Sequence, residues 1–320
     1  MPNSEPKTFG FLLIPGFSLL SYASTIEPLR AANRLSGRKL YRWTHISATG
    51  EPAEASSGLP IAAEHKIGDN FELDTILICA GGNPALFRHQ RTLAWLRTLA
   101  SRGVRIGGVS GGPYILARAG LLEGYRCTIH WEHMAAFCEE FPNLDVSRSL
   151  YEIDRNRLTC AGGIAALDMM RAVVGSEHGP ALATAVSGWF LQTQLRLGSG
   201  PQRLSARERY GVSSASLLKA LEAMEASTDN GLSRQELSRR ADVSVRQLER
   251  LFSNHLNTTI DTQYMRIRLD RARALIHETT MPILAVAVAC GFRSGSHFSR
   301  TYKARFGIAP KEERRAFALR

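Results

Sequence analysis

The sequence predicts an α/β domain built as a mostly parallel sheet sandwich, followed by an all-α domain with two helix-turn-helix motifs. Three observations carry that prediction. Over residues 1–195, short apolar runs alternate with stretches of helical periodicity. From residue 215 to 320 strand signals stop, and helices are punctuated by Ser, Gly, Asn and Pro. Between the two, residues 196–214 ("RLGSGPQRLSARERYGVSS") shift to Gly, Ser, Pro and Arg with little apolar periodicity, as a linker does. A chain of 320 residues also suits two cores better than one.

In chain order, the candidate strands are Thr8 to Ile14, Trp43 to Ala48, Thr75 to Cys79, Arg105 to Val109, Arg126 to His130 and Leu158 to Cys160. Most are continuous apolar runs, the pattern of parallel strands covered on both faces. Helical spacing marks Tyr22 to Leu35, Pro84 to Arg102, Pro113 to Ala119, Ile164 to Val174 and Ala181 to Leu195.

Composition excludes several classes. Hydrophobic residues at 44% and charged residues at 22% are the balance of a packed globular chain. The first apolar run is broken by Pro15-Gly16 and lacks a small-residue cleavage site, and no later run is long enough to span a bilayer, so no membrane role and a cytoplasmic location are expected. Five scattered cysteines without C-x-x-C spacing argue against a disulfide framework or a zinc site, and no metal or cofactor is expected. The net charge of +11 points to a polyanionic partner. It is concentrated late, where residues 211–320 carry 18 Lys and Arg against 11 Asp and Glu.

In that last third, "LSRRADVSVRQLERLF" (237–252) reads as a helix, a turn at Asp242-Val243-Ser244 and a second helix capped by Ser244. Leu248, Leu251 and Phe252 face the core, leaving Arg246, Gln247, Glu249 and Arg250 on the outer side. The arrangement recurs as "VAVACGFRSGSHFSRTY" (286–302), with Cys290-Gly291-Phe292 at the turn, Phe298 in place of Leu248 and Arg300 in place of Arg250. A solvated helix face would explain one such pattern. Two in register, joined by the arginine-bearing helix Thr262 to His277, point to DNA: Arg246, Gln247 and Arg250 in the first unit, Arg293, Ser294, Ser296, His297 and Arg300 in the second.

These residues resemble the AraC family of transcription regulators over roughly Leu217 to Arg315, most specifically in "GFRSGSHFSRTYKARFGIAPKEERR". The resemblance implies two recognition helices in successive major-groove segments of double-stranded promoter DNA, with RNA polymerase as a further partner. Departures are Ala309-Pro310 and then Glu313-Arg314 where the family has Ser/Thr-Pro and Tyr-Arg, and Asn257 in place of a glycine.

The first domain holds a second motif. "GVSGG" (108–112) lies between an apolar strand and a helix opening at Pro113, the setting of a nucleophile elbow at Ser110. The same setting can bind an anion without chemistry. Glu27 in "STIEPLR" and His130 in "CTIHWEH" could converge on it. The domain resembles the PfpI/class I glutamine-amidotransferase-like superfamily across roughly Lys7 to Leu195, which implies a flavodoxin-like fold. In its catalytic members the elbow carries cysteine, often followed by histidine; here Ser110 and Gly111 stand in those places. A serine needs a placed base, and the adjacent position is glycine, so the elbow reads as a retained pocket and the protein as no enzyme. The alternative is a hydrolase or amidase using Ser110 with a nucleic-acid-binding tail.

The fusion of the two resembles GlxA-like regulators, and "GGVSGGPYILARAGLLEGYRCTIHWEH" with "RLTCAGGIAALDMM" resembles the activators of carnitine, glycine betaine and arginine catabolism. That resemblance implies a homodimer and a small-molecule effector, a quaternary amine ahead of arginine. Glu27, Gly82, Asn83, Ser110, Gly111, His130 and Trp131 are the expected pocket, with elbow amides for a carboxylate and Trp131 for a cation. Tyr114, Phe17 and Phe87 are further aromatics, which ordinary core packing would equally explain.

Overall fold

The computed structural model describes residues 5–279 and 281–318, and the chain divides into two compact units, Met1–Gln202 and Arg203–Arg320. The first runs β1 (Lys7–Leu13), α1 (Leu19–Ser36), β2 (Tyr41–Ser47), three two-residue strands β3 (Ala53–Glu54), β4 (Pro60–Ile61) and β5 (His65–Lys66), then β6 (Thr75–Ala80). It continues with α2 (Gln90–Ser101), β7 (Arg105–Ser110), α3 (Gly112–Arg118), β8 (Arg126–Cys127), α4 (Met134–Glu140) and β9 (Asp145–Val146). It closes with β10 (Tyr151–Asp154), β11 (Arg157–Cys160), α5 (Ala165–His178) and α6 (Pro180–Trp189).

Seven strands form one sheet in the order β10-β11-β7-β6-β1-β2-β5. All neighbours are parallel except β10 and β11. The period of two along each strand explains the sandwich. Phe9, Phe11, Leu13, Leu77 and Cys79 pack on one face with Leu29 of α1 and Met169, Met170 and Val173 of α5. Leu12, Ile76 and Ile78 pack on the other with Leu93 and Leu96 of α2 and Ile115 of α3. Both faces are covered, which is why these strands read as unbroken apolar runs.

One expectation is corrected here. The strand expected over Arg126–His130 is only Arg126–Cys127, and it pairs with β9 outside the main sheet. Thr128 ends it: its amide donates to Thr159 Oγ1 at 3.0 Å, and its hydroxyl donates to the carbonyls of Ser147 and Ser149 at 3.1 and 2.8 Å. The segment 196–214 is tied down by polar contacts on both sides of the division. Arg196 pairs with the fully buried Asp168, and Gln202 Nε2 donates to the carbonyls of Ile129 and Ser149 at 2.9 and 2.7 Å. Beyond the boundary, Ser205 and Glu208 form a capping box that starts α7 (Ala206–Tyr210).

The second unit continues with α8 (Ala215–Ala226), α9 (Arg234–Arg240), α10 (Val245–Leu256) and α11 (Ile260–Glu278). The last three helices are α12 (Ile283–Ala289), α13 (Gly295–Phe306) and α14 (Pro310–Ala318). Serine hydroxyls set the helix starts. Ser233 and Ser244 make full capping boxes with Glu236 and Gln247, and Ser294 caps α13 by accepting from the His297 amide. Among the described residues, no helix is long and apolar enough to cross a membrane.

Candidate functional site

The elbow forms where β7 turns into α3. Ser110 takes φ of 60°, a left-handed conformation that a non-glycine residue adopts only when its surroundings hold it there. Close packing supplies that hold. A Cβ on Gly112 would lie 2.1 Å from the Ile78 carbonyl oxygen, and one on Gly162 would lie 2.6 Å from the Ser110 Cβ and 2.8 Å from Ser21 Oγ. The loop after β11 therefore closes over Ser110, and Gly163 N donates to Ser21 Oγ at 2.7 Å.

Around this turn, the expected pocket residues separate. Glu27 pairs with Arg30 one turn further along α1, accepting from Nε at 2.8 Å and from Nη2 at 2.5 Å. The α1 side chain that reaches the elbow loop is Ser21. Six residues at 3.6 per turn place Glu27 roughly 240° around the helix from it. Gly111 lies at the turn, but its amide donates to the Ala80 carbonyl at 3.0 Å and so is not an open anion donor. A Cβ there would also crowd Pro84 Cγ at 3.1 Å, a physical reason against a side chain at this position. Gly82 has φ of 58° in the turn after β6, and Asn83 Oδ1 accepts from the Ala85 amide at 3.1 Å, capping a short 3-10 turn.

His130 is brought to the elbow through the backbone, its amide 3.4 Å from the Ser110 carbonyl oxygen. Its Nδ1 accepts from the Glu132 amide at 3.4 Å. Burial, and then the neighbouring His133, push its pKa down to about 4, so the ring is neutral at pH 7 and keeps one N–H to donate. The Trp131 ring lies 5.3 Å from it and is 44% exposed. Tyr114 and Phe17 are core residues. The Tyr114 hydroxyl donates to Glu140 at 2.8 Å, and the Arg118 guanidinium covers its ring at 5.2 Å. Phe17 is fully buried edge-on to Tyr22. Phe87 is half-buried against the core on the α2–α3 side of the sheet.

Among the described residues, the Ser110 hydroxyl makes no hydrogen bond to a histidine or carboxylate, the contact by which a serine is activated. Nor do nearby thiols replace it, since burial pushes Cys160 up to about 12 and Cys79 higher still. Ser21 and the Gly162-Gly163 turn were missed by sequence reasoning. The available signal was the position of that glycine pair, just past the carboxyl end of the strand beside β7, where ligand crevices of such sheets open.

In the second unit, α9–α10 and α12–α13 are the two helix-turn-helix pairs. Leu248 and Phe252 in α10 and Phe298 and Tyr302 in α13 are fully buried, which turns Arg246, Arg250 and Arg300 outward. Arg293 is exposed just ahead of α13. These four arginines have no ion pair among the described residues. By contrast, Arg209, Arg234, Arg273 and Arg305 are held by Glu225, Asp261, Glu313 and Asp270. The paired arginines build the fold, and the unpaired ones face outward from the recognition helices. Gln247 Oε1 accepts from the Ser244 amide at 2.9 Å, so its carbonyl serves the cap. Ser294 likewise caps α13; Ser296 is exposed, and His297 is exposed beside Phe292 with its carbonyl accepting from Thr301.

Comparison with known proteins agrees with both halves. A family model described as DJ-1/PfpI family matches residues 10–176, and one described as a helix-turn-helix domain matches residues 237–316. The chain is 42% identical, over 98% of its length and 93% of the relative's, to the HTH-type transcriptional regulator CdhR of Pseudomonas aeruginosa. It is 41% identical, over 97% of its length and 96% of the relative's, to the HTH-type transcriptional regulator GlxA of Rhizobium meliloti. The crystal structure of an AraC family transcriptional regulator from Pseudomonas putida is similar with a TM-score of 0.53 and 28% identity, covering 58% of this chain and all of that one.

Proposed function

The chain belongs to the GlxA-type AraC-family transcriptional regulators, which join a DJ-1/PfpI domain to a helix-turn-helix domain, and from that premise we propose that it is a ligand-responsive activator of catabolic genes. Its effector is a small zwitterion such as glycine betaine, carnitine or a related quaternary amine, bound at the retained elbow. The observation that carries the reading is an elbow kept in its strained form beside an exposed tryptophan and a neutral histidine, with no base on Ser110. The His130 N–H suits the carboxylate of such a ligand and the Trp131 face its cationic head. Arg246, Arg250, Arg293 and Arg300 contact the DNA, with Ser296 and His297 beside them in the second groove segment.

The regulator acts as a homodimer in the cytoplasm and recruits RNA polymerase. Effector binding favours one arrangement of the paired sensor domains and so shifts the DNA-binding units toward a competent spacing, by no more than its differential affinity for the two states. The hydrolase reading has less support, because the relatives are named regulators and Ser110 lacks a base.

Fluorescence anisotropy with duplex DNA from the gene's own upstream region tests this directly, titrated with and without glycine betaine and carnitine. Affinity should rise with one of them, and Trp131→Ala should abolish the response while leaving ligand-free binding unchanged. Arg246→Ala and Arg300→Ala should each weaken specific binding by roughly 1–3 kcal/mol. DNA affinity indifferent to every zwitterion, or wild-type affinity in both arginine variants, would overturn the corresponding half.

A further inference from the structure

A cavity lies at the β2-β5 edge of the sheet, away from the elbow. Thr49 after β2, Lys66 and Ile67 at the end of β5, and His89, Arg91 and Trp95 at the start of α2 line a cavity of about 500 Å³. That volume is in the range of small-molecule sites. It opens beyond the carboxyl ends of β2 and β5, the side of an α/β sheet where ligands bind. The elbow is three strand spacings away, from β7 through β6 and β1 to β2, or roughly 14 Å.

The wall has one sign of charge. No carboxylate lines it, and neither Lys66 nor Arg91 has an ion pair among the described residues. Asp69, next to the lining Gly68, turns its carboxylate to the backbone and not to the Lys66 ammonium: its Oδ2 accepts from the Lys66 amide at 3.0 Å and lies 4.0 Å from His65 Nδ1. The aliphatic stem of Lys66 rests on the chain at Gly50, where a Cβ would lie 3.6 Å from its own Cβ. Trp95 and Ile67 add an apolar side. The Trp95 ring is backed by Phe71 at 6.4 Å, which is itself stacked on His65 at 4.3 Å.

Lys66 and Arg91 are exposed at the rim of a cavity that no acid lines, so an anion seated there would gain charge-assisted hydrogen bonds from both while its body meets the half-buried Trp95. We propose that this cavity binds a small organic anion, a carboxylate or phosphate monoester with a flat apolar body, as an input separate from the elbow. The anionic group lies between Lys66 and Arg91, and the flat body lies along Trp95. The site does not depend on the zwitterion reading.

The test is calorimetric titration of the full-length protein with phenyl phosphate, benzoate and inorganic phosphate, with tryptophan emission recorded in parallel. At least one of the two aromatic probes should bind saturably with a dissociation constant below about 1 mM. Inorganic phosphate, lacking the apolar body, should bind at least about tenfold more weakly. Tighter binding of phenyl phosphate would assign a phosphate ester as the source, and tighter binding of benzoate a carboxylate. The Lys66→Glu/Arg91→Glu double variant should lose at least about tenfold in affinity, and Trp95→Phe should remove the emission change while heat is still released. No saturable heat for either aromatic probe up to about 10 mM would overturn the assignment. So would unchanged affinity in a double variant whose thermal midpoint matches the wild type. A protein that binds these anions yet ignores its upstream DNA would count against the proposed function and leave this site standing.

Discussion

The two helix-turn-helix pairs share a geometry but are held by different means. In the first, the turn passes through Asp242 at φ of 55°, and α10 ends at Asn257 with φ of 49°. Its tertiary ties are exposed: Arg234 to Asp261 and Glu249, and Lys219 to Asp242 at 2.6 Å. In the second, both positions are glycine, Gly291 and Gly307, at φ of 74° and 77°. The ties converge on one buried carboxylate, Glu313, which accepts from Arg273 Nε at 2.7 Å, Tyr302 Oη at 2.8 Å and His277 Nε2 at 2.9 Å. Arg314 beside it donates to the carbonyls of Ile276 and Met281. Glu313-Arg314 is where the chain departs from the family's usual Tyr-Arg, and the departure locks α11, α13 and α14 together. Equivalent folds can thus rest on surface pairs or on an internal hub. The second recognition helix should be the harder to unseat and the more sensitive to single changes in its support.

The largest effect should come from Glu313→Ala. It leaves a buried tyrosine hydroxyl unsatisfied and removes three bonds across three helices, costing roughly 3 kcal/mol in denaturant unfolding. A cost no greater than that of Arg234→Ala would break the comparison. Gly291→Ala should follow at roughly 2 kcal/mol, because a Cβ would lie 2.7 and 2.8 Å from the carbonyl oxygens of Asp229 and Thr228 in a left-handed turn. Asp242→Ala at the matching turn, which already carries a side chain, should cost less.

Acid should sharpen the contrast. Burial alone would raise the Glu313 carboxyl, but hydrogen bonds from Arg273, Tyr302 and His277 outweigh it and hold it below the ordinary value of 4.5. A lowered folded pKa means that the unfolded chain takes up protons first. The stabilisation is therefore complete above about pH 4.5 and is lost as pH falls through the folded value. Unfolding monitored from pH 7 to 3 should show Glu313→Gln less acid-sensitive than the wild type. The smallest effect should be that of Arg234→Ala. Its two pairs are half exposed, so a change below about 1 kcal/mol that shrinks further in high salt is expected in the same unfolding assay.

Much of this was legible in the sequence. The helix-turn-helix repeat could be aligned residue by residue, because Leu248 and Phe298, Ala241 and Cys290 occupy equivalent core positions that local periodicity and turn chemistry specify. The elbow was legible for the same reason, since a strand, a glycine-flanked serine and a helix-opening proline are neighbours in the chain. Other features were not. Glu27 is matched to the elbow by family resemblance, whereas the α1 side chain that bonds the neighbouring Gly163 is Ser21. The Gly111 amide is spent on the Ala80 carbonyl of the neighbouring strand, a partner that no local pattern announces. The strand at Arg126 was cut short by Thr159 and Ser149, 20 or more residues away.

The sequence by itself determined the α/β-then-all-α division, the five central strands of the parallel sheet, the two recognition helices and the strained serine turn. Each of these follows from residues within one turn or strand of each other, through side-chain period, capping and backbone preference. Only the tertiary structure decided which arginines are spent on Asp261, Glu313 and Asp270 and which, among the described residues, have no ion pair. It also decided which side chain of α1 meets the elbow, and that Lys66, Arg91 and Trp95 share a cavity. Those outcomes depend on partners brought together from distant parts of the chain, and no local pattern encodes which charge a folded neighbour will already have neutralised.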